Sequence, residues 1–329
     1  MQEYKALVVE EKDAVFHKQV KLVPRSFLPD NEVLIKVHFS ALNYKDALSA
    51  NGHNGITRKF PHTPGIDASG VVVESKSPKW KAGDKVLVTS YDLGMNTNGG
   101  FGEYISVPAE WPVALPAKMD LKQAMLYGTS GFTAALALYK MEVAGQNPSM
   151  GPVLVTGASG AVGTAAIALL KKCGYEVMAS SGKPDQYPLL KEIGATTIIS
   201  RDEVNDQSEK PFLSPKWAGA IDTIGGNTLS TILKASMANA NIAVCGLVAS
   251  PNFSTTVYPF IIKGNNLLGV ETATIDRSIR EELWERLSDK WGFQLPESLI
   301  RVRSLEEIVP EIESMLKGGS LGKVILSHN

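Results

Sequence analysis

The sequence has little cysteine and no cysteine cluster. Only two cysteines, Cys173 and Cys245, occur among its 329 residues, and neither is followed at short spacing by a second Cys or a His. A disulfide framework and a four-cysteine zinc lobe are therefore excluded. Each cysteine lies in an apolar stretch, so we expect two buried structural thiols.

Excess charge and long apolar runs are also missing. The 33 Lys and Arg residues against 34 Asp and Glu residues leave a formal net charge of -1, which predicts no strong field toward nucleic acid or an anionic membrane. No segment approaches the ~18 uninterrupted apolar residues of a membrane helix. Residues 1–10 lack the basic start and apolar core of a signal peptide. We expect a cytoplasmic protein with no nucleic-acid partner and no membrane partner.

The pattern of apolar residues changes along the chain and predicts an α/β protein of two domains. From Lys5 to about Pro116, short alternating or apolar runs cut by Gly, Pro and Asp indicate an antiparallel, barrel-like β region. From residue 121 strands and helices alternate, which predicts a parallel, doubly wound sheet. The C-terminal segment returns to the first pattern and ends in a predicted strand, KVILS. We therefore expect one domain of residues 1–120 and 275–329, and a second of residues 121–274.

A glycine-rich loop is the strongest chemical signal. A β run at 153–156 leads through this loop into an apolar helix, the context that supports dinucleotide binding. Glycines let the backbone approach a pyrophosphate, while the N–H groups of the helix start bind it. The alternative is a turn that is glycine-rich for packing alone. The loop reads Gly157-Ala158-Ser159-Gly160-Ala161-Val162-Gly163, and we expect Gly157 and the run Ser159, Gly160, Ala161, Val162 and Gly163 to contact the cofactor.

The end of the second strand predicts which dinucleotide binds. An NAD site usually has an Asp or Glu there, about 20 residues past the loop. This chain has Ser180, Ser181 and Lys183 instead, and Arg201 follows the third strand, which lies beside the second in a 3-2-1 order. Hydroxyls and cations bind a 2′-phosphate that a carboxylate would repel. We therefore expect NADP(H), although either cation alone could be a solvated loop residue.

The whole chain resembles a medium-chain dehydrogenase/reductase of the zinc-free quinone oxidoreductase type, most closely its acrylyl-CoA reductase branch. Zinc alcohol dehydrogenases have Gly-His-Glu where this chain has Pro64-Gly65-Ile66-Asp67, and a ligand Cys near the position of Asn43, so we expect no metal. The segments that carry the resemblance are 43–46, 64–67, 83–86, 99–107, 128–134, 157–163, 200–203, 245–247 and 322–324.

The resemblance implies a GroES-like β-barrel catalytic domain, a Rossmann domain, NADP(H) and a homodimer. It also implies hydride transfer to the activated C=C bond of an enoyl-CoA or to a quinone, small molecules that carry a conjugated carbonyl. Without metal, the resulting oxyanion needs hydrogen-bond donors. The implied catalytic residues are Asn43, Tyr44, Asp46 and Asp67, and the implied additional cofactor contacts are Thr129, Gly246, Leu247 and Lys323.

Each of these residues has a structural alternative. Tyr44 could be a packed aromatic at a helix start, Asp46 and Asp67 could cap a turn or a helix, and Lys323 could be a solvated cation. For the chain as a whole, the alternative is a nucleotide-binding protein of the same fold with a structural or RNA-regulatory role. A coenzyme A substrate would need cations for its phosphates, and the candidates are Arg58, Lys59, Lys263 and Arg303.

Overall fold

The order of strands and helices is much as the two sequence patterns predict. A computed structural model describes residues 1–319 and 321–328. No helix within these residues is long and apolar enough to cross a membrane. The strands are β1 (Glu3–Lys12), β2 (Val15–Pro24), β3 (Val33–Leu42), β4 (Asp67–Ser75), β5 (Lys85–Thr89), β6 (Tyr104–Val107), β7 (Val113–Ala114), β8 (Val153–Val155), β9 (Val177–Ser180), β10 (Thr197–Ile199), β11 (Trp217–Asp222), β12 (Ser236–Val244), β13 (Asn266–Gly269), β14 (Ile300–Arg303) and β15 (Lys323–Ser327). The α-helices are α1 (Tyr44–Ser49), α2 (Leu121–Val143), α3 (Ala161–Lys172), α4 (Tyr187–Glu192), α5 (Gly226–Ala235), α6 (Tyr258–Ile261), α7 (Arg277–Ser288) and α8 (Ile308–Leu316).

The first of two structural units comprises Met1–Thr129, Thr272–Ser288 and Glu297–Asn329. Its main sheet has the order β14-β15-β3-β4-β5-β7, with β6 also paired to β3, and β1 pairs with β2 in a separate sheet. β15 runs antiparallel to β3 and parallel to β14. The last strand of the chain therefore lies inside this sheet, beside a strand from its beginning.

The second unit comprises Ser130–Glu271 and Asp289–Pro296. Its sheet has the order β10-β9-β8-β11-β12-β13, and every pair is parallel. The predicted doubly wound sheet and the 3-2-1 order of its first three strands are confirmed. The strand order reverses between β8 and β11, and ligands of such sheets bind at the carboxyl ends of the strands near this reversal.

Apolar side chains explain why these strands are buried. In β3, Val33, Ile35 and Val37 alternate inward and pack with Val72 and Val88 of neighbouring strands. In the second unit a core cluster gathers β11, β12 and α5, with Trp217 fully buried among Leu229, Ile232 and Ile242. Alternation in the first unit and continuous apolar strands in the second are the patterns that one-sided and two-sided burial produce.

The structure differs from the sequence prediction at three places. β2 was not predicted, because the polar residues His17, Lys18, Gln19 and Lys21 interrupt its apolar positions and, within the described residues, it pairs with β1 alone. Gly128 breaks α2 with φ 49° and ψ -158°, so its two halves are separate helical segments. Cys173 and Cys245 form no disulfide within residues 1–319 and 321–328, and both are partly exposed, so the expectation of two buried cysteines is wrong.

Candidate functional site

The glycine-rich loop leads from the end of β8 to the start of α3. A methyl group on Gly157, whose φ is +58°, would collide with Thr223 Oγ1, and one on Gly163 would collide with the Gly157 carbonyl oxygen. These two glycines are therefore required by packing. Gly160 is the N-cap of α3 and supplies no side chain to the first helical N–H groups. This helix start is consequently suited to an anion.

The remaining loop positions and the segment after β12 lie along the same edge of the sheet. Ser159, Ala161 and Val162 are partly exposed. Gly246 packs against the backbone of Thr223, where any side chain would collide, and Leu247 beside it is exposed. The carboxyl ends of β8, β11 and β12 therefore bring together the predicted cofactor residues of these loops.

An aspartate that the sequence analysis missed holds this edge together. Asp222, at the end of β11, accepts from Thr156 Oγ1 at 2.6 Å and from the Gly225 N–H at 2.9 Å. The Thr223 N–H in turn donates to Thr156 Oγ1 at 3.1 Å. Burial raises the pKa of Asp222. An Asp that ends a buried strand was the available signal, but Thr156, which follows β8, becomes its neighbour only in the folded sheet.

The ends of β9 and β10 bring together the predicted 2′-phosphate residues. Ser180 pairs with Ile199 in the strand register, and Ser180 and Ser181 are buried. The Lys183 N–H donates to Ser181 Oγ at 3.2 Å. The Arg201 guanidinium lies so close to Gly182 that a methyl group there would overlap it. Arg201 is exposed and makes no ion pair within residues 1–319 and 321–328, so its charge is available to a ligand.

In the first unit, Asp46 ties the start of α1 to the turn before β4. Its Oδ2 accepts from the Asn43 N–H at 2.8 Å, and its Oδ1 accepts from the N–H groups of Ile66 at 2.8 Å and Gly65 at 3.2 Å. The carboxylate is fully buried. This arrangement matches the capping alternative for Asp46.

Asp67 organises the break in α2. Its Oδ2 accepts from the Thr129 N–H and from Asn43 Nδ2, each at 2.8 Å, and its Oδ1 accepts from Thr129 Oγ1 at 2.5 Å. Asp67 therefore caps the helical segment that begins at Thr129. Because the Thr129 hydroxyl hydrogen points to the carboxylate, Thr129 can face a ligand only as a hydrogen-bond acceptor.

Lys323 is buried beside these carboxylates. Its side chain is 2% exposed, and its Nζ lies 3.5 Å from the Tyr127 carbonyl oxygen. Burial lowers the pKa of Lys323, while the charges of Asp67 and Asp46 act in the opposite direction. The solvated-cation alternative is therefore wrong, and Lys323 belongs to the cluster of Asn43, Asp46, Asp67 and Thr129.

The two proposed oxyanion donors have different surroundings. Both hydrogens of the Asn43 amide have acceptors, Asp67 Oδ2 at 2.8 Å and the Ala41 carbonyl oxygen at 3.2 Å. Tyr44 is 52% exposed, so it is not the packed aromatic of the alternative. Within the part of the chain that the structure describes, its hydroxyl has no hydrogen-bond partner. Of these two residues, Tyr44 is consequently the one whose side chain can donate to a substrate.

The four candidate cations for a coenzyme A phosphate differ in whether they are already bonded within the protein. Arg303 Nε donates to Glu311 at 2.8 Å, and Lys263 Nζ donates to the carbonyl oxygens of Ser236 and Lys234. Arg58 and Lys59 are exposed in the segment that follows α1. Among residues 1–319 and 321–328, no three His, Cys, Asp or Glu side chains are grouped to hold a metal ion.

Comparisons with known proteins agree with this geometry. A family model for the alcohol dehydrogenase GroES-like domain matches residues 29–117, and one for zinc-binding dehydrogenase matches residues 161–289. The acrylyl-CoA reductase AcuI of Ruegeria pomeroyi is 39% identical over 99% of each chain. The quinone oxidoreductase of Homo sapiens is 32% identical over 90% of this chain and 89% of its own.

Two solved structures are similar over almost the entire chain. The yhdH oxidoreductase from Salmonella enterica, in complex with NADP, has a TM-score of 0.94 and 39% identity, covering 99% of this chain and 100% of its own. The Bacillus subtilis protein yhfP, with NAD bound, has a TM-score of 0.96 and 40% identity at the same coverage. The predicted fold class is confirmed.

The buried Asp46 carboxyl should make stability depend on pH. Burial, and next the charge of Asp67, raise the pKa of Asp46 from 3.8 to about 7. The folded state therefore binds this proton more tightly than the unfolded state, and stability from this group is lost as pH rises from about 4 to 7. We expect the difference in Tm between the protein and Asp46→Asn to be larger at pH 5 than at pH 8. Asp185→Asn, an exposed control, should show no such trend, and a difference that grows with pH would contradict the assignment.

Proposed function

Because this chain belongs to the quinone oxidoreductase family of medium-chain dehydrogenase/reductases, we propose that it is an NADPH-dependent oxidoreductase that transfers hydride to an activated C=C bond of an enoyl-CoA or to a quinone. Support comes chiefly from the loop 157–163, which opens α3 without a capping side chain at the carboxyl edge of a doubly wound sheet. The similar AcuI is an acrylyl-CoA reductase, and the human relative is a quinone oxidoreductase.

The residues at this edge fit NADP(H). The helix start would take the pyrophosphate, and Ser180, Ser181, Lys183 and Arg201 would take the 2′-phosphate. The exposed guanidinium over Gly182 favours this phosphate because an ion-paired Arg would already be neutralised. Bound NADPH supplies the hydride. One similar structure contains NADP and the other contains NAD, so the end of β9 is expected to decide the preference.

Residues of the first unit would serve the acceptor. Reduction of a conjugated carbonyl leaves negative charge on its oxygen, which needs preorganised donors. The Tyr44 hydroxyl is available for this role, whereas the Asn43 amide is committed to Asp67 and Ala41. Asn43, Asp46 and Asp67 would hold the turn in place. Arg58 and Lys59 are the exposed cations of this unit that could bind the phosphates of a coenzyme A thioester.

Kinetics would test this function. We expect NADPH oxidation with acrylyl-CoA, crotonyl-CoA or a benzoquinone, with kcat/KM for NADPH at least ~10-fold above that for NADH, about 1.4 kcal/mol. A chelator should leave the rate unchanged. The ranking of kcat/KM among the three acceptors would identify the substrate class. Cofactor binding without turnover on any acceptor would instead favour a structural or RNA-regulatory role.

The same cofactor preference should depend on Arg201. Arg201→Ala should lower kcat/KM for NADPH by ~10-fold or more and leave the value for NADH unchanged, since only NADPH carries the 2′-phosphate. Lys191→Ala, which removes an exposed cation of α4, is the matched control. Equal losses with both cofactors would show that Arg201 supports the fold and does not bind this phosphate.

Tyr44 can be tested separately from its packing. Tyr44→Phe keeps the ring and removes the hydroxyl, so we expect kcat to fall on the order of 10²-fold, about 2.7 kcal/mol, with little change in NADPH affinity. Tyr258→Phe, the same substitution at another exposed tyrosine, should leave kcat unchanged. Full activity of Tyr44→Phe would mean that backbone N–H groups or water stabilise the oxyanion.

We further propose that the protein is a cytoplasmic homodimer joined through the edge strand β13. Within the described residues this strand pairs with β12 alone. Val257, Ile261, Ile262 and Leu267 expose apolar side chains on or near it. An open edge with apolar neighbours is a surface that folded proteins usually cover.

The mass in solution would test the dimer. Light scattering should give twice the mass of the chain, and Ile261→Lys should shift the equilibrium toward the monomer because it places a charge in the apolar surface. Val15→Lys, at an exposed valine of β2, should leave the mass unchanged. A monomeric wild-type protein at micromolar concentration would contradict the proposal.

A further inference from the structure

We propose that Lys323 and Asp67 are positioning residues: the buried Lys323 side chain holds the Asp67 carboxylate in place, and this carboxylate fixes both the place of Thr129 and the direction of its hydroxyl hydrogen. The inference rests on the proposed function only for what Thr129 then does, because the contacts themselves lie within the first unit. It assigns Lys323 to the support of Thr129, whereas the family resemblance suggests a direct cofactor contact.

Strand pairing explains how these distant positions meet. Lys323 begins β15, and its neighbour Val324 pairs with Leu42, the residue before Asn43. Asp67 begins β4, and its neighbour Ala68 pairs with Ser40 of the same β3. The ends of three adjacent strands therefore place the ammonium, the carboxylate and the Asn43 amide together. A surface role for Lys323 is excluded by this position.

Gly128, which has no side chain, leaves room for the charged groups of Asp67 and Lys323. A methyl group on Gly128 would lie 2.5 Å from Asp67 Oδ2 and 2.8 Å from Lys323 Nζ, so both charged atoms border the same small gap. Its φ of 49° and ψ of -158° fall in a region that only glycine adopts readily. The backbone can therefore turn here, and the N–H that it turns inward, that of Thr129, meets Asp67 at 2.8 Å.

The carboxylate also sets the polarity of a row of hydroxyls. Thr129 Oγ1 donates to Asp67 Oδ1 and lies 3.4 Å from Ser90 Oγ, which lies 3.1 Å from Thr272 Oγ1. Since Thr129 has one hydroxyl hydrogen, it can only accept from Ser90 or from a ligand. The group that it would accept from is an N–H, such as the primary carboxamide carried by a nicotinamide ring.

Lys323 is needed because a second carboxylate lies nearby. Asn43 Nδ2 lies 2.8 Å from Asp67 Oδ2 and 3.4 Å from Asp46 Oδ2, so one amide separates two buried acids. Two buried carboxyl groups at this separation repel each other when both are charged, so a nearby cation stabilises the pair. The ammonium of Lys323 supplies the compensating charge. Its removal should therefore loosen Thr129 through Asp67.

Amide hydrogen exchange on the cofactor-free protein would test the positioning directly. We expect the Thr129 N–H to exchange at least ~10-fold faster in Lys323→Met than in the wild type, since its acceptor is weakened. Lys323→Arg, which keeps the charge, should exchange more slowly than Lys323→Met. Lys36→Met, an exposed lysine on β3, is the control and should match the wild type. Unchanged exchange at Thr129 in folded Lys323→Met would overturn the proposal.

A double variant keeps the test decisive if Lys323→Met does not fold. Asp67→Asn with Lys323→Met removes both charges, and a buried ion pair is often replaceable as a unit. If Lys323 acts through Asp67, the double variant should raise KM for NADPH no further than Asp67→Asn alone, with kcat less affected than KM. Additive increases in KM would show that Lys323 contacts the cofactor itself and would overturn the positioning role.

The two proposals fail in different ways. A wild-type protein without NADPH turnover would contradict the proposed function, while accelerated Thr129 exchange in Lys323→Met would still support the positioning role. Normal NADPH turnover by the wild type combined with unchanged Thr129 exchange in Lys323→Met would support the proposed function and contradict the positioning role. Because exchange is measured without cofactor, it reports on Asp67 and Thr129 whatever the substrate is.

Discussion

The first unit depends on the buried carboxylate of Asp67. It accepts two hydrogen bonds from Thr129 and one from Asn43, and it thereby connects the break in α2 to the start of α1. A buried carboxylate is stable only when donors and a counter-charge surround it. These requirements explain why Lys323 is buried and why Gly128 must lack a side chain.

The second unit is organised by close backbone contact instead of charge. Gly157, Gly163 and Gly246 each lie where a side chain would collide with a neighbouring loop. Asp222 then fixes the ends of β8 and β11 through Thr156 and the Gly225 N–H. As a result, the N–H groups at the start of α3 are held in place before any anion arrives, which reduces the entropy lost on binding.

Local patterns were sufficient for the fold class and for the dinucleotide loop. The strand, loop and helix at 153–172 are consecutive, so their spacing alone predicts the turn and its ligand. The 3-2-1 order follows from the right-handed crossovers of alternating strands and helices, and it correctly placed Arg201 beside the end of β9. β2 was not predicted because His17, Lys18, Gln19 and Lys21 obscure its apolar pattern, and pairing with β1 is what makes this segment a strand.

The sequence by itself determined the parallel sheet, the glycine-rich loop and the absence of a carboxylate at the end of β9, because each of these features depends on residues that are close together in the chain. Only the tertiary structure decided the roles of Asn43, Asp46, Asp67 and Lys323. Residues 43, 67, 129 and 323 are far apart in the chain, and strand pairing brings them together. Which hydrogens remain available to a substrate depends on these contacts. The sequence could name Asn43 and Tyr44 together, whereas the structure distinguishes them: the Asn43 amide is already hydrogen-bonded and Tyr44 is exposed.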